Sequence, residues 1–345
     1  MATATVPFLN SLWIGDRNSN RARYYAAARR RLGLSPAHMV DYRELLAPRG
    51  TADPIADGPW SEIRIESPGK DPAVEALLAG RPEALEKGRL DQPCRWFERY
   101  RQWLRGLPQQ LPYHNAPAEI ELLFDKPRCH RYLQDRGLAV AAGLSHPDQA
   151  ARSFLKLYCG SSCSGVVAYL RDSNSCFAPI ERRGPGHYYN SRRVRRYQGA
   201  ICSEILDWLL AQGAHLEEWL PKARLNGLPF DVRLVTIGGE PRHLVVRQGR
   251  APMLGLQLGA QRGDPLALRA WLGRSGWDRL KNTARAVAAA FPGCLYLGID
   301  LLIDPDRQPR VLEANAFGDL LPGILWRGQD TYSAELRCWS RRNSA

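Results

Sequence analysis

The stretch LGIDLLIDPDRQPRVLEAN, residues 297–315, decides the predicted fold. Two apolar runs flank DPDRQP, and this pattern predicts two β-strands joined by a tight turn. The turn brings Asp300 on the first strand close to Glu313 and Asn315 on the second. Glu313 and Asn315 are two positions apart, so their side chains point to the same face of the strand. On spacing alone two interpretations stay open: carboxylates at exposed strand ends, or a hard oxygen site that suits Mg²⁺.

Length and composition are typical of a soluble folded protein with two or three packed subdomains. The chain has 345 residues, of which 44% are hydrophobic and 24% are charged. No apolar run reaches the roughly 18 residues that cross a bilayer, and the first residues lack the pattern of a secretory signal. We therefore expect no membrane association and a cytoplasmic location. The eight cysteines lack paired spacing, which favours free thiols over disulfides or a zinc site.

The net charge of +13 comes almost entirely from arginine, since only six lysines occur among the 48 basic residues. A positive field attracts nucleotides, acidic peptides or nucleic acid. A solvated arginine-rich surface explains the same composition. The charge alone therefore does not choose a partner, and a homo-oligomer also stays open.

The order of predicted elements divides the chain into three units. Residues 1–118 begin with a strand in FLNSLWIG, a helix ending at Gly33 and a second strand running into a turn in HMVDYRELL. Helices follow in PAVEALLAGRPEALEKG and CRWFERYRQWLRGL, the second with an aromatic stripe that predicts core packing. One new helix begins in LLFDKPRCHRYLQDRGL, and strands with glycine turns dominate afterwards. We place the other two units at residues 119–221 and 222–345.

This pattern, in which an aspartate is followed by a hairpin and then by Glu-x-Asn, resembles the metal-binding signature of the ATP-grasp superfamily. That superfamily includes D-alanine ligase, glutathione synthetase and the ligases that add glutamate to a ribosomal protein. The resemblance implies an α/β (α+β) ATP-grasp fold: a Rossmann-like N-terminal domain, a lid subdomain and a C-terminal antiparallel-sheet subdomain that clamp ATP. It also implies that Asp300, Glu313 and Asn315 bind Mg²⁺, or Mn²⁺, which bridges the ATP phosphates. Many relatives have serine and proline after the asparagine, whereas Ala316 and Phe317 follow it here.

Further motifs of the superfamily occur upstream in the expected order. FDKPRC resembles the segment with the first ATP lysine, and SFLKLYCGSSCSGV resembles the strand with the second lysine followed by a flexible phosphate loop. HLEEWL resembles the hinge that binds adenine. The residues that the resemblance assigns to ATP are Lys126, Lys156, Gly160, Ser161, Ser162, Glu217, Glu218, Leu220 and, as a candidate ribose ligand, Asp231.

Two arginines on successive predicted strands, Arg233 and Arg247, are candidates for catalysis together with Lys156. Their guanidinium groups would bind the γ-phosphate and an acyl phosphate, for which the fork geometry is suited. Relatives among the ribosomal-protein glutamate ligases have an asparagine and glycines after the second arginine. Gln257, Gly259 and Arg262 occupy that loop here.

The resemblance implies an ATP-dependent carboxylate–amine ligase that acts through an acyl phosphate, with a carboxylate and an amine as substrates. Residues 182–196 carry six arginines beside Tyr188 and Tyr189, a pattern that suits an acidic peptide, stacked nucleic-acid bases or a mobile solvated loop. Two other functions stay open: a nucleotide-responsive binding module, and a basic nucleic-acid-binding protein. The donor and acceptor are not encoded in any shared motif.

Overall fold

The computed structural model describes residues 10–46, 54–68, 71–90, 94–160 and 164–342. The N-terminal unit is a three-stranded parallel sheet in the order β2-β1-β3 with flanking helices. Its elements are β1 (Ser11–Ile14), α1 (Asn20–Arg31), β2 (His38–Val40), α2 (Tyr42–Leu46), β3 (Glu62–Ile65), α3 (Pro72–Ala79) and α4 (Arg95–Gly106).

The predicted strand–helix–strand start is confirmed, with two corrections. HMVDYRELL is not a strand that ends in a turn, because β2 ends at Val40 and α2 follows directly. PAVEALLAGRPEALEKG is helical only as far as Ala79, since Gly80 adopts a left-handed conformation (φ 64°) that ends α3. The aromatic stripe of α4 packs into the core as predicted, with Phe97 and Tyr100 fully buried.

The central unit begins with two helices that lead into a six-stranded antiparallel sheet in the order β4-β9-β5-β6-β7-β8. LLFDKPRCHRYLQDRGL contains the end of one helix and all of the next rather than one, because Asp125 caps the second and Pro127 occupies its first turn. The elements are α5 (Pro117–Phe124), α6 (Lys126–Gln134), β4 (Gly143–Leu144), β5 (Arg152–Leu157), β6 (Val166–Leu170), β7 (Ser175–Arg182), β8 (Tyr188–Gln198), α7 (Ala200–Ala211) and β9 (Ala214–Glu218).

The C-terminal unit is a second antiparallel sheet, in the order β13-β12-β11-β14-β15, with β10 paired to β11. Both predicted hairpin turns are present; Gly238 and Gly239 adopt positive φ between β11 and β12, as a two-residue turn requires. The elements are β10 (Arg224–Leu225), β11 (Leu228–Ile237), β12 (Glu240–Gln248), β13 (Gln261–Gly263), α8 (Pro265–Ala289), β14 (Tyr296–Ile303), β15 (Pro309–Asn315) and α9 (Thr331–Arg342).

A buried ionic network joins the N-terminal sheet to the C-terminal unit. Arg64 on β3 lies 2.6 Å from carboxylate oxygens of both Glu66 and Asp319, and 2.5 Å from Glu335 on α9. Arg21 on α1 also pairs with Asp319, at 2.6 Å. Because a buried charge is costly unless it is paired, this network fixes the segment after β15 against the N-terminal domain.

Cys94 and Cys159 form a disulfide with 5.7 Å between their Cα atoms. The expectation of free thiols is therefore wrong for this pair, although Cys129 and Cys294 are free and buried as expected. The pairing was not detectable in the sequence because 65 residues separate the two cysteines. No helix within the described ranges combines the length and apolar character needed to cross a membrane. The predicted unit boundaries at residues 118 and 221 stay a prediction.

Candidate active site

The β14–β15 hairpin places the predicted metal ligands side by side. Asp300 pairs directly with Glu313 across the two strands, and Gly298 pairs with Asn315. On the other side of β14, Asp300 is the register partner of Arg233 on β11. The central strands therefore carry a row of charged side chains on neighbouring positions, as cross-strand pairing requires.

The carboxylate of Asp300 is buried and held by two guanidinium groups. Arg233 donates through Nε at 2.5 Å and through Nη2 at 2.8 Å, while Arg247 Nη2 lies at 3.0 Å. Burial alone would raise the pKa of Asp300, but the two arginines lower it to about 2. The carboxylate is therefore ionised at neutral pH, as a metal ligand must be.

Both predicted ATP lysines form ion pairs inside the site. Lys126 at the start of α6 pairs with Glu313, and Lys156 on β5 pairs with Glu217 on β9. Burial would raise the pKa of Glu217, but Lys156 and His215 lower it to about 2. Each pair joins a cation of the central unit to a carboxylate on a different element, so the lysines are preoriented by protein charges.

The predicted nucleotide residues surround one cavity of about 830 Å³ between the two antiparallel sheets. Phe154, Leu302 and Met253 give this cavity apolar walls, as a purine ring requires. The predicted site residues that line it are Lys126, Lys156, Gly160, Glu217, Glu218, Leu220, Asp231, Arg247, Asp300 and Glu313. Ser161 and Ser162 lie outside the described residues.

A second cavity of about 2070 Å³ opens on the other side of the charged row. Arg233 and Asn315 line the second cavity but not the first. Asp300 and Glu313 line both cavities. Arg21 from the N-terminal domain also lines this space. The site therefore has two chambers that meet at the predicted metal ligands.

The residues present fit a divalent cation. Asp300 and Glu313 supply carboxylate oxygens from opposed strand positions, and the Nδ2 atom of Asn315 is buried without a hydrogen-bond partner among the described residues. Because the amide can rotate to present its oxygen instead, Asn315 offers a third hard ligand. The donor set is the one that Mg²⁺ prefers.

Several residues of the site were not found by sequence reasoning. Lys222 lies 3.0 Å from Asp231, which Arg247 also contacts at 2.6 Å, so the candidate ribose ligand already has two cationic partners. His130 and His215 lie beside Glu217, with possible ligand atoms of all three within 4.8 Å of one another. No motif links these positions, because the contacts form only when α6 and β9 pack together.

In the loop after β12, Gln257 and Arg262 have different surroundings. Gln257 lies in a short 3₁₀ helix (Leu256–Leu258) and lines the second cavity. Arg262 instead donates to the carbonyl of Pro322 at 2.9 Å. Arg262 therefore helps to fix the segment after β15.

No family model matches the sequence, and the search of curated proteins gave no match. Solved structures do match over nearly the whole chain. D-cycloserine synthetase DcsG is 15% identical, with 96% of this chain and 99% of that chain covered and a TM-score of 0.56. D-alanine–D-alanine ligase from Bacillus anthracis complexed with ATP is 12% identical, with coverage of 97% and 98% and a TM-score of 0.53.

Macrocyclase MdnC from Microcystis aeruginosa MRC, bound with the precursor peptide MdnA, is 14% identical; 94% of this chain and 97% of that chain are covered, and the TM-score is 0.50. These likenesses define the class: the chain has the ATP-grasp fold. The fold predicted from the sequence motifs is therefore confirmed.

Proposed function

We propose that this protein is an ATP-dependent carboxylate–amine ligase that forms an amide or peptide bond. One observation carries the proposal: two lysines, two arginines and the three candidate metal ligands meet between two antiparallel sheets, beside a cavity with apolar walls. A structural ion-pair network would not need apolar walls beside the charges. The ATP-grasp fold supports the same activity at the level of the superfamily.

The proposed reaction has two steps. A carboxylate oxygen of the first substrate attacks the γ-phosphorus of ATP, and the bond from that phosphorus to the ADP oxygen breaks, which gives an acyl phosphate. The amine of the second substrate then attacks the acyl carbon, phosphate leaves, and the amine loses a proton. The products are an amide, ADP and phosphate.

The chain's cations bind and orient the phosphates in this proposal. The proposal assigns the α- and β-phosphate oxygens to Lys156 and Lys126, which line the first cavity, and the transferred phosphoryl group to Arg233 and Arg247. The arginine forks stabilise the charge that develops on the transferred phosphoryl group. Exclusion of water protects the acyl phosphate from hydrolysis.

Asp300, Glu313 and Asn315 would hold Mg²⁺, which supplies positive charge to the β- and γ-phosphate oxygens when bound. The proposal assigns the adenine amino group to Glu217 and the ring edge to the backbone of Glu218 and Leu220. Glu218 and Leu220 line the first cavity together with Glu217, which supports that assignment.

A substrate screen tests the function. Amino acids, small acids and peptides would be supplied with MgATP, with release of ADP and phosphate measured and products identified by mass spectrometry. Glu313→Gln should abolish stimulated ADP formation, whereas Glu240→Gln, a surface glutamate paired with Arg285, should not change it. If no candidate, including acidic peptides and cell extract, raises ADP formation above the Glu313→Gln level, the ligase proposal is wrong.

A further inference from the structure

A third cavity, which we call the basic groove, lies outside the site described so far. It has a volume of about 1860 Å³ and runs between α3 with residues 81–90 on one wall and β8 on the other. Its inner end is lined by Gly160 and Gln257, and both residues also line the second cavity. The groove therefore leads from the protein surface to the chamber that contains Asp300 and Glu313.

Four cations line the groove among the described residues: Arg81, Lys87, Arg89 and Arg192. The side chains of Lys87, Arg89 and Arg192 have no ion pair or hydrogen bond to any described residue. Of the two carboxylates among the described lining residues, Glu86 is already paired with Arg183 at 2.8 Å, and burial raises the pKa of Glu75. Unpaired positive charge on a concave surface favours an anionic ligand.

Three other arginines of the same segment do have protein partners. Arg182 is held by Glu204 at 2.8 Å, and Arg183 also pairs with Glu181 at 2.9 Å. Arg195 contacts Glu181 at 3.4 Å. The segment 182–196 is therefore a β-hairpin with internal ion pairs rather than a solvated loop, and Arg192 is directed into the groove instead.

The wall formed by β8 also presents a strand edge with backbone N–H and C=O groups that can form hydrogen bonds. β8 is the last strand of its sheet, and its outer edge pairs only with residues 88–90, through Leu90 N to Tyr188 O at 2.8 Å and Asn190 N to Gly88 O at 2.7 Å. After Asn190, no backbone hydrogen bond from another described segment covers that edge. An unpaired strand edge accepts an extended peptide by adding one more strand.

Nucleic acid fits the groove less well than a peptide does. Tyr188 and Tyr189 are buried, with 1% and 7% of their surface exposed, and their hydroxyls donate to Glu204 and Glu86. The guanidinium of Arg183 covers the Tyr189 ring at 4.0 Å. Neither of these two tyrosines therefore offers a free face to a base, although stacking supplies much of the affinity for single strands.

We propose that the basic groove binds an acidic segment of a peptide substrate and directs the reacting group of that peptide toward Asp300 and Glu313. Lys87, Arg89 and Arg192 bind its carboxylates, while Leu85 and Leu258, which are partly exposed, provide apolar contacts. This inference rests on the proposed ligase function, since it names the class of substrate for the same site.

The probe is a fluorescein-labelled octaglutamate peptide, followed by fluorescence anisotropy at low and physiological salt. The triple variant Lys87→Ser, Arg89→Ser, Arg192→Ser should weaken binding roughly tenfold or more and flatten its salt dependence. The matched control Arg269→Ser, Arg274→Ser, Arg337→Ser removes the same charge from exposed positions on α8 and α9 and should leave the affinity within about twofold. An octaglutamine peptide should not bind.

Equal losses in the two triple variants would overturn the proposal, because they would indicate only a general electrostatic effect. Tighter binding of a single-stranded RNA octamer, also lost in the groove variant alone, would replace the peptide by nucleic acid. ATP affinity, measured separately, should be the same in both variants. Groove-dependent peptide binding together with no ADP formation from any candidate in the substrate screen would leave the docking inference standing and refute the ligase. Ligation of small amino acids without peptide binding would do the reverse.

Discussion

Replacement of Lys156 by methionine leaves the carboxylate of Glu217 without its ammonium partner. Glu217 is 3% exposed, and its pKa is lowered from the ordinary value of 4.5 to about 2. That difference corresponds to about 3 kcal/mol of stabilisation from the surroundings of the ionised group. We therefore expect Lys156→Met to reduce the free energy of unfolding at pH 7 by about 3 kcal/mol, in the range found for breaking a buried ion pair.

A second change separates this charge effect from the loss of packing. In the double variant Lys156→Met, Glu217→Gln no buried charge is left without a partner, so a large part of the lost stability should return. Neither variant should bind ATP normally. Lys281→Met removes a lysine whose partner Asp278 is half exposed, at 3.2 Å, and should cost less than about 1 kcal/mol.

The pH dependence gives the charge effect a definite sign. In the wild type the folded pKa of Glu217 is depressed, so its contribution is full above about pH 4.5 and is lost as the pH falls toward 2. In Lys156→Met the ammonium no longer offsets the effect of burial, so the pKa of Glu217 rises and the variant loses less stability than the wild type as the pH falls. Urea unfolding at pH 7, 5.5 and 4 should therefore show a narrowing difference. A constant difference, or a double variant no more stable than the single one, would refute the reasoning.

Three further predictions concern the β14–β15 hairpin. Glu313→Gln should lower stimulated ADP formation by on the order of a hundredfold or more, measured in a coupled assay at saturating ATP, because it removes a proposed metal ligand and the partner of Lys126. The pKa of Asp300 is depressed in the folded protein, so the stability that its ionised form contributes is present above about pH 4 and is lost as the pH falls toward 2. Acid unfolding curves should therefore show that the wild type loses stability across this window more steeply than Asp300→Asn does. Gly298→Ala should destabilise the protein by about 2 kcal/mol or more in urea and shift the tail after β15, because a Cβ there would overlap the backbone of Gly318; an unchanged unfolding midpoint would contradict this close approach.

Two features made part of the site predictable from the sequence: local chain geometry and unusual composition. Asp300 and Glu313 lie on one local hairpin, which brings them close together, although their direct opposition depends on a shift of the strand register between Asp300 and Leu301 that the turn does not set. Lys126 and Lys156 were found because lysine is rare in this chain and two of its six lysines lie in recognisable motifs. Local geometry and unusual composition were therefore sufficient to find these four residues, whereas the place of Arg233 beside Asp300 depends on the pairing of β11 with β14.

Contacts between distant segments could not be predicted in this way. Arg21 and Asp319 are 298 positions apart, and their pairing depends on how α1 packs against the tail after β15. The pairing of Lys156 with Glu217 likewise needs the register between β5 and β9, which no turn sets directly. Sequence spacing gives no information on such contacts because tertiary packing determines them.

The charge pairing around Asp300 and Glu313 has a consequence for the order of ligand association. Both carboxylates already have cationic neighbours, so a metal ion arriving alone would be repelled by Lys126, Arg233 and Arg247. In the proposed function, nucleotide phosphates would give those cations other partners and free the carboxylates. We therefore expect the affinities for metal and nucleotide to be strongly coupled, with each ligand raising the affinity for the other by the same factor.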